Sequence, residues 1–363
     1  MSVADQKKAA IVVGLSAVAL FAGAGAIAYQ ALSYPSRAMP GPAVEAKIII
    51  ERGTTLAVIA RRLAYSKLIT HPSWFRFYAN ERGLSQKVKA GQFVLSSSMT
   101  PSEILARLIE GVPVEEVAVT LPEGKNLVQV AELFDEAGVC AKEDFEKVAR
   151  DPQVAQRLGV PGPTLEGYLF PDTYRFPRGT SALRIATALV RRAHEVFDAL
   201  KATHAKSVAL RAKLDKMDDR ELVLMASLVE KETAAVDERP RIAGVFYNRL
   251  RLPTFVPHVL QTDPTIVYGC TVPKDKSAAC ATFEGRLRRA QLDDKDNPYN
   301  TYQHTGLPPG PISNPGRAAL LAAIEPDDTP YLYFVSKNDG THYFSKTVAE
   351  HEAAVTKYQR GGK

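Results

Sequence analysis

From Lys8 to Arg37 the chain carries no charged side chain, and within that stretch Ile11 to Leu32 is a nearly continuous run of Ala, Val, Leu, Gly and Ile. About 20 apolar residues are what a helix needs to cross the hydrocarbon of a bilayer, so residues 11–32 are expected to form a transmembrane helix. Lys7 and Lys8 precede the run, which favours a cytoplasmic tail over residues 1–10 and puts the remainder on the periplasmic side of the inner membrane. A cleaved signal peptide is the alternative, with Ala26-Ile-Ala28 offering small residues at a suitable spacing. The length of the run favours a retained anchor.

Beyond the anchor, 45% hydrophobic and 24% charged residues describe an ordinary globular chain and exclude a disordered one. Tyr34-Pro-Ser-Arg-Ala-Met-Pro-Gly-Pro42 punctuates it, and residues 33–43 read as a linker. A small domain is expected over 44–118. Val44 to Ile50 alternates like a strand, Gly53 to Leu63 and Pro72 to Arg82 read as helices, Lys89 to Leu95 as a second strand, and Ser102 to Gly111 as a helix stopped by glycine. This βααβ order resembles a LysM-like module, a fold used to bind cell-wall glycans; a structural spacer is the competing reading.

The larger domain is expected over 119–363. Its most informative stretch is Leu222 to Thr233, which follows an acidic N-cap at Asp218 with Glu221 three residues on and repeats apolar residues at three- and four-residue steps. On that helix Glu230 occupies a position where packing alone would place a hydrocarbon. It shares a stripe with Val223, Ala226, Ser227, Thr233 and Ala234, whose small size leaves room for a ligand, while Glu232 faces nearly the opposite way. A desolvated carboxyl keeps its proton near neutral pH and can protonate a leaving oxygen. The alternative is a helix-face glutamate paired with an arginine such as Arg239 or Arg241.

The segments around it are expected to be helical at Leu127 to Ala149, 181–203 and 206–236, loop-dominated over 252–316, and closed by a strand pair, Tyr331 to Val335 and His342 to Ser345, about Asn338-Asp-Gly340, before a last helix. With helices and strands segregated, the class is α+β. The loops concentrate Tyr247, Asn248, Gln261, Thr262, Asp263, Tyr268, Asn300, Tyr302 and Gln303. Amides and carboxylates reach sugar hydroxyls and aromatic faces cover C–H patches, so this mixture suits a glycan.

Taken in order, Leu121-Pro-Glu-Gly124, Leu165 to Tyr174, Val229-Glu-Lys-Glu-Thr233, Val245 to Leu250, Gln261 to Gly269, Tyr299 to Tyr302, Gly306 to Gly316 and Tyr331 to Val335 resemble the endolytic murein transglycosylases of the YceG-like family. The resemblance covers nearly the whole chain. It implies cleavage between N-acetylmuramic acid and N-acetylglucosamine inside nascent peptidoglycan strands, with 1,6-anhydro ends as product, and coupling to peptidoglycan synthases. Glu230 is then the catalytic residue, and Gln261, Asp263, Tyr268, Asn300, Tyr302, Glu166 and Tyr168 are substrate contacts. One departure is the cysteine-bearing insert between Gly269 and Leu292, longer than the family pattern. A hydrolytic muramidase and a membrane-tethered glycan binder without catalysis are the rival readings.

No cofactor is expected. The seven histidines form no HxxxH and the three cysteines no CxxC spacing, which argues against a metal. Cys270 and Cys280 could close a disulfide in an oxidising compartment, or all three thiols could stand alone. The net charge of +6 is spread along the chain without a basic-aromatic repeat, so no nucleic-acid partner is expected.

Overall fold

Ile48 and Ile50 point inward from one strand while Ile49 between them is 54% exposed, the alternation that a sheet with one covered face demands. That strand belongs to the first of two compact units, Met1–Glu115 and Glu116–Lys363, in a computed structural model that describes residues 25, 29–111 and 116–360. The predicted span over 11–32 therefore lies mostly outside the described residues. Among those described, no helix is long and apolar enough to cross a membrane.

In the first unit β1 (Glu45–Ile50) and β2 (Gly91–Ser96) pair antiparallel with Ile48 opposite Phe93. Between them run α1 (Leu56–Tyr65) and α2 (Pro72–Glu81), and α3 (Pro101–Glu110) follows, opened by a Thr100/Glu103 capping box and closed at Gly111. Ile48, Phe93, Leu63, Phe75 and Leu108 share one core. Tyr34, from the segment read as a linker, also sits in that core and donates its hydroxyl to the His71 carbonyl at 3.0 Å.

The second unit is mostly helical, with β3 (Glu116–Thr120) paired to β4 (Thr173–Pro177) and a hairpin of β5 (Tyr333–Ser336) and β6 (His342–Ser345). Its helices are α4 (Leu127–Glu136), α5 (Lys142–Ala149), α6 (Pro152–Arg157), α7 (Ala182–Thr203), α8 (Ala205–Leu214), α9 (Asp219–Glu232), α10 (Arg239–Arg251), α11 (Asp263–Thr271), the single turns α12 (Ala278–Ala281) and α13 (Arg289–Leu292), α14 (Arg317–Ile324) and α15 (Val348–Val355). The class is mixed α+β.

One expectation is corrected. The helix read over 206–236 is two helices: Lys216 takes a positive φ of 54°, Asp215 turns inward onto Arg211 at 2.6 Å, and Asp218 caps a new start. Residues 252–316 are loop-dominated as expected, and within them Asp263–Thr271 forms a helix with Pro264 in its first turn, a position that tolerates proline's missing N–H. Cys270 and Cys280 are joined by a disulfide and Cys140 is free.

Candidate active site

α9 begins with reciprocal caps, the Asp218 side chain accepting the Glu221 N–H at 2.9 Å and the Glu221 side chain accepting the Asp218 N–H at 2.8 Å. From Leu222 to Glu230 every residue is buried, so this is a helix surrounded by protein and not an amphipathic one. Glu230 enters that interior with only 4% of its side chain exposed. Its Oε1 accepts from Arg239 Nη2 at 2.7 Å and its Oε2 from the Gly316 N–H at 2.9 Å. Burial raises the carboxyl above its ordinary value, while the Gly316 amide and the Arg239 charge pull the other way. Arg239 also reaches Glu123 Oε2 at 3.2 Å, so one guanidinium bridges a buried and a half-exposed carboxylate. The pairing with Arg239 that the sequence offered as an alternative is thus present.

The room expected beside Glu230 is largely filled by protein. Ser227 Oγ accepts the Ile312 N–H at 3.1 Å, Ser313 Oγ donates to the Ser227 carbonyl at 3.1 Å, and Gly167 packs between Val223 and Pro311. Small residues on that stripe admit the Pro311–Gly316 segment, not a ligand. What remains beside the carboxyl is bare backbone. A Cβ at Gly124 would lie 3.4 Å from Glu230 Cγ, and one at Gly316 would strike the Glu123 carboxylate.

The other predicted residues fall into two groups. Near the C-terminal end of α9, Thr262 donates to Glu232, and the Asp263 carboxylate, exposed at the start of α11, accepts the Tyr302 hydroxyl at 2.8 Å. Gln261 is exposed there, with its backbone held at φ 52° by an N–H bond to the Thr301 carbonyl. Burial raises Glu232, and the Thr262 hydroxyl opposes it. Asn300 supports this loop from inside: it is fully buried, its Nδ2 donates to the carbonyls of Gln291, Leu292 and Asp294, and its Oδ1 accepts the Tyr302 N–H.

Glu166 and Tyr268 form the second group. Glu166 is 3% exposed and accepts from the Leu127 N–H at 3.1 Å, the Tyr268 hydroxyl at 3.0 Å and Asn314 Nδ2 at 3.0 Å. Leu127 opens α4, so this carboxylate satisfies one of that helix's unpaired first-turn amides. Burial pushes the Glu166 carboxyl up to about 7 against those donors. Tyr168 lies beside it with its hydroxyl buried and unpartnered. Glu123, Gly124, Asn314 and Gly316 were legible only as members of motifs. That Asn314 serves Glu166 while Gly316, two residues on, serves Glu230 is a fact of the folded chain.

A model of the YceG-like family matches residues 48–357, most of the chain. The chain belongs to the YceG-like family. Similar to this YceG-like protein is the endolytic murein transglycosylase of Bacillus subtilis (strain 168), 33% identical over 329 residues covering 86% of this chain and 84% of that protein. So is the endolytic murein transglycosylase of Streptococcus pneumoniae (strain ATCC BAA-255 / R6), 30% identical over 345 residues, 85% of this chain but only 57% of the pneumococcal protein. A solved structure of a yceG-like protein from Listeria monocytogenes is 31% identical and superposes with a TM-score of 0.52, covering 86% of this chain and 100% of that one.

Proposed function

We propose that this YceG-like protein is an endolytic lytic transglycosylase. It cleaves the bond between N-acetylmuramic acid and N-acetylglucosamine within peptidoglycan strands, leaves 1,6-anhydro ends, and uses Glu230 as acid and then base. The names of the relatives support the reaction class. The observation that carries the residue assignment is the setting of Glu230: a buried carboxyl raised by desolvation, whose cationic partner has a second carboxylate to turn to.

With Arg239 drawn toward Glu123, Glu230 loses its counter-charge and holds a proton. It gives that proton to the glycosidic oxygen as the C1–O bond breaks, then accepts the proton of the muramyl C6 hydroxyl as O6 closes on C1. Arg239 and the Gly316 amide stabilise the carboxylate that exists between the two transfers. No water is consumed. A two-carboxylate hydrolase needs a second carboxylate free to act on the sugar. Glu123 is tied to Arg239, Glu232 faces Thr262, Glu166 is held by three donors, and Asp263, the exposed carboxylate of this set, accepts the Tyr302 hydroxyl.

Gln261, Asp263 and Tyr302 are the substrate contacts this reading retains at the surface, with Tyr268 and Asn300 shaping the loops beneath them. Residues 11–32 would anchor the protein in the inner membrane with residues 1–10 cytoplasmic and the catalytic domain, 119–363, periplasmic. The module over 44–118 would be LysM-like and hold glycan, and a synthase partner would supply new strands. The internal disulfide supports an oxidising compartment. Digestion of peptidoglycan in ¹⁸O-water followed by mass spectrometry tests the reaction. Unlabelled anhydro ends are expected; labelled reducing ends would indicate a muramidase, and uncut strands a binding protein.

A further inference from the structure

Beside Glu166 the second unit holds a cavity of about 210 Å³, walled mainly by proline and tyrosine rings. It has room for roughly seven waters at ~30 Å³ each. Arg220, the second residue of α9, stands at its wall, ten residues and about 15 Å along the helix axis from Glu230. Glu230 is not among the residues that line it. Tyr168 and Arg220 are the groups in it with the clearest unspent capacity. The Tyr168 hydroxyl is buried and makes no hydrogen bond, although Tyr168 as a whole is only 4% exposed. A buried hydroxyl without a partner is costly to a fold and calls for an explanation. The Arg220 guanidinium gives one bond to the Pro309 carbonyl and, among the described residues, has no carboxylate within ion-pairing distance.

The remaining charges are engaged elsewhere: of the two carboxylates that act on the Tyr168 hydroxyl, Asp218 caps α9 and Asp219 pairs with Lys201 at 2.6 Å. Arg150 is already paired with Glu146 at 3.3 Å and bound to the Val272 carbonyl at 3.0 Å. Both oxygens of Glu166 are occupied by the Leu127, Tyr268 and Asn314 donors. What is left is one fork-shaped cation and the buried, unpartnered Tyr168 hydroxyl, with the Thr164 and Tyr299 side chains also on the wall, facing a small space lined largely by apolar rings. That set fits a carboxylate on a short aliphatic stem. A sugar ring, with polar groups around its whole edge, finds too few partners there.

We propose that this cavity receives the free carboxylate of a peptide stem borne by the glycan, bound by the Arg220 guanidinium and the Tyr168 hydroxyl. The proposal rests on peptidoglycan being the substrate, and it adds that the enzyme reads the peptide at a distance from the bond it cuts. Strands with intact stems would be held in register by a contact that peptide-free strands cannot make.

Two measurements on the full chain test this. Calorimetry with N-acetyl-D-alanyl-D-alanine reads the cavity without any cleavage. Weak binding is expected for the wild type, reduced about tenfold or more in Arg220→Gln and in Tyr168→Phe, since each removes one donor to an ionised group. Because Tyr168→Phe deletes an unpartnered hydroxyl, its melting temperature should stay level or rise, which a merely structural role for that hydroxyl would not give. No binding by the wild type, equal binding by the variants, or equal binding of inorganic phosphate overturns the proposal. Kinetics supply the second readout: the ratio of kcat/KM on peptide-bearing strands to that on strands stripped of stems should fall about tenfold in Arg220→Gln through KM. An unchanged ratio overturns it. If the wild type cuts neither substrate, the transglycosylase reading has failed and the calorimetry still decides the cavity.

Discussion

Glu230 and Glu166 are both buried carboxyls of the second unit raised by desolvation, and they are served by residues two apart in one segment, Gly316 and Asn314. Their partners differ. Glu166 is held by an amide, a hydroxyl and a carboxamide, each fixed by its own element, so its surroundings have one arrangement. Glu230 has a backbone amide and an arginine that it shares with a half-exposed carboxylate, so its counter-charge is divided between two anions. Burial alone does not mark a catalytic acid. On the proposed mechanism it is the shared counter-charge that distinguishes Glu230.

The largest effect should come from Glu230→Gln, which keeps the shape and removes the proton: cleavage falls by about 10²- to 10⁴-fold while the fold is retained. The matching change at the other carboxyl, Glu166→Gln, should cost stability first, about 1–3 kcal/mol at neutral pH by urea unfolding, because an amide nitrogen would face a donor. Equal catalytic losses from both would erase the distinction.

Arg239→Met leaves Glu230 buried without its counter-charge. A loss of about 3 kcal/mol is expected at alkaline pH, shrinking as the pH falls and Glu230, raised by burial, takes up a proton, and the alkaline limb of the kcat profile should move to higher pH. A stability loss independent of pH would mean that Arg239 acts by packing.

The Glu166 carboxyl makes its own prediction. Between the ordinary glutamate range and about 7 the folded protein holds a proton that the unfolded chain has released, so stability falls as pH rises through that window and levels off above it. Glu166→Gln should lack this slope when denaturation midpoints are compared from pH 5 to 8. Smallest is Gly316→Ala, since its backbone at φ −80° accepts alanine and the obstacle is only the end of the Glu123 side chain. Stability should change by less than about 1 kcal/mol, while the kcat profile shifts because Glu123 can no longer hold Arg239.

Much of this was legible in the sequence because it is local. The Asp218/Glu221 cap, the alternation of Ile48 to Ile50, the Gly111 stop and the Asn338-Asp-Gly340 hairpin each follow from residues a few positions apart. Glu230 stood out because a carboxylate interrupts an apolar period. Residues that act across the chain were not legible: Glu123 lies 116 positions from the arginine it shares, and Asn314 lies 148 from Glu166. The stripe of Val223, Ala226 and Ser227 shows the limit, since small residues make room and sequence cannot say whether a ligand or the protein's own Pro311–Gly316 segment fills it. Asn300 likewise had a sugar-binding residue type, but three carbonyl groups of its own loop consume its donors.

The most direct test is to incubate peptidoglycan with folded Glu230→Gln protein beside the wild type and to count glycan ends while measuring glycan binding. The account predicts that the variant retains the glycan and generates no anhydro ends above background. Anhydro ends produced by the variant at a rate near that of the wild type would contradict it.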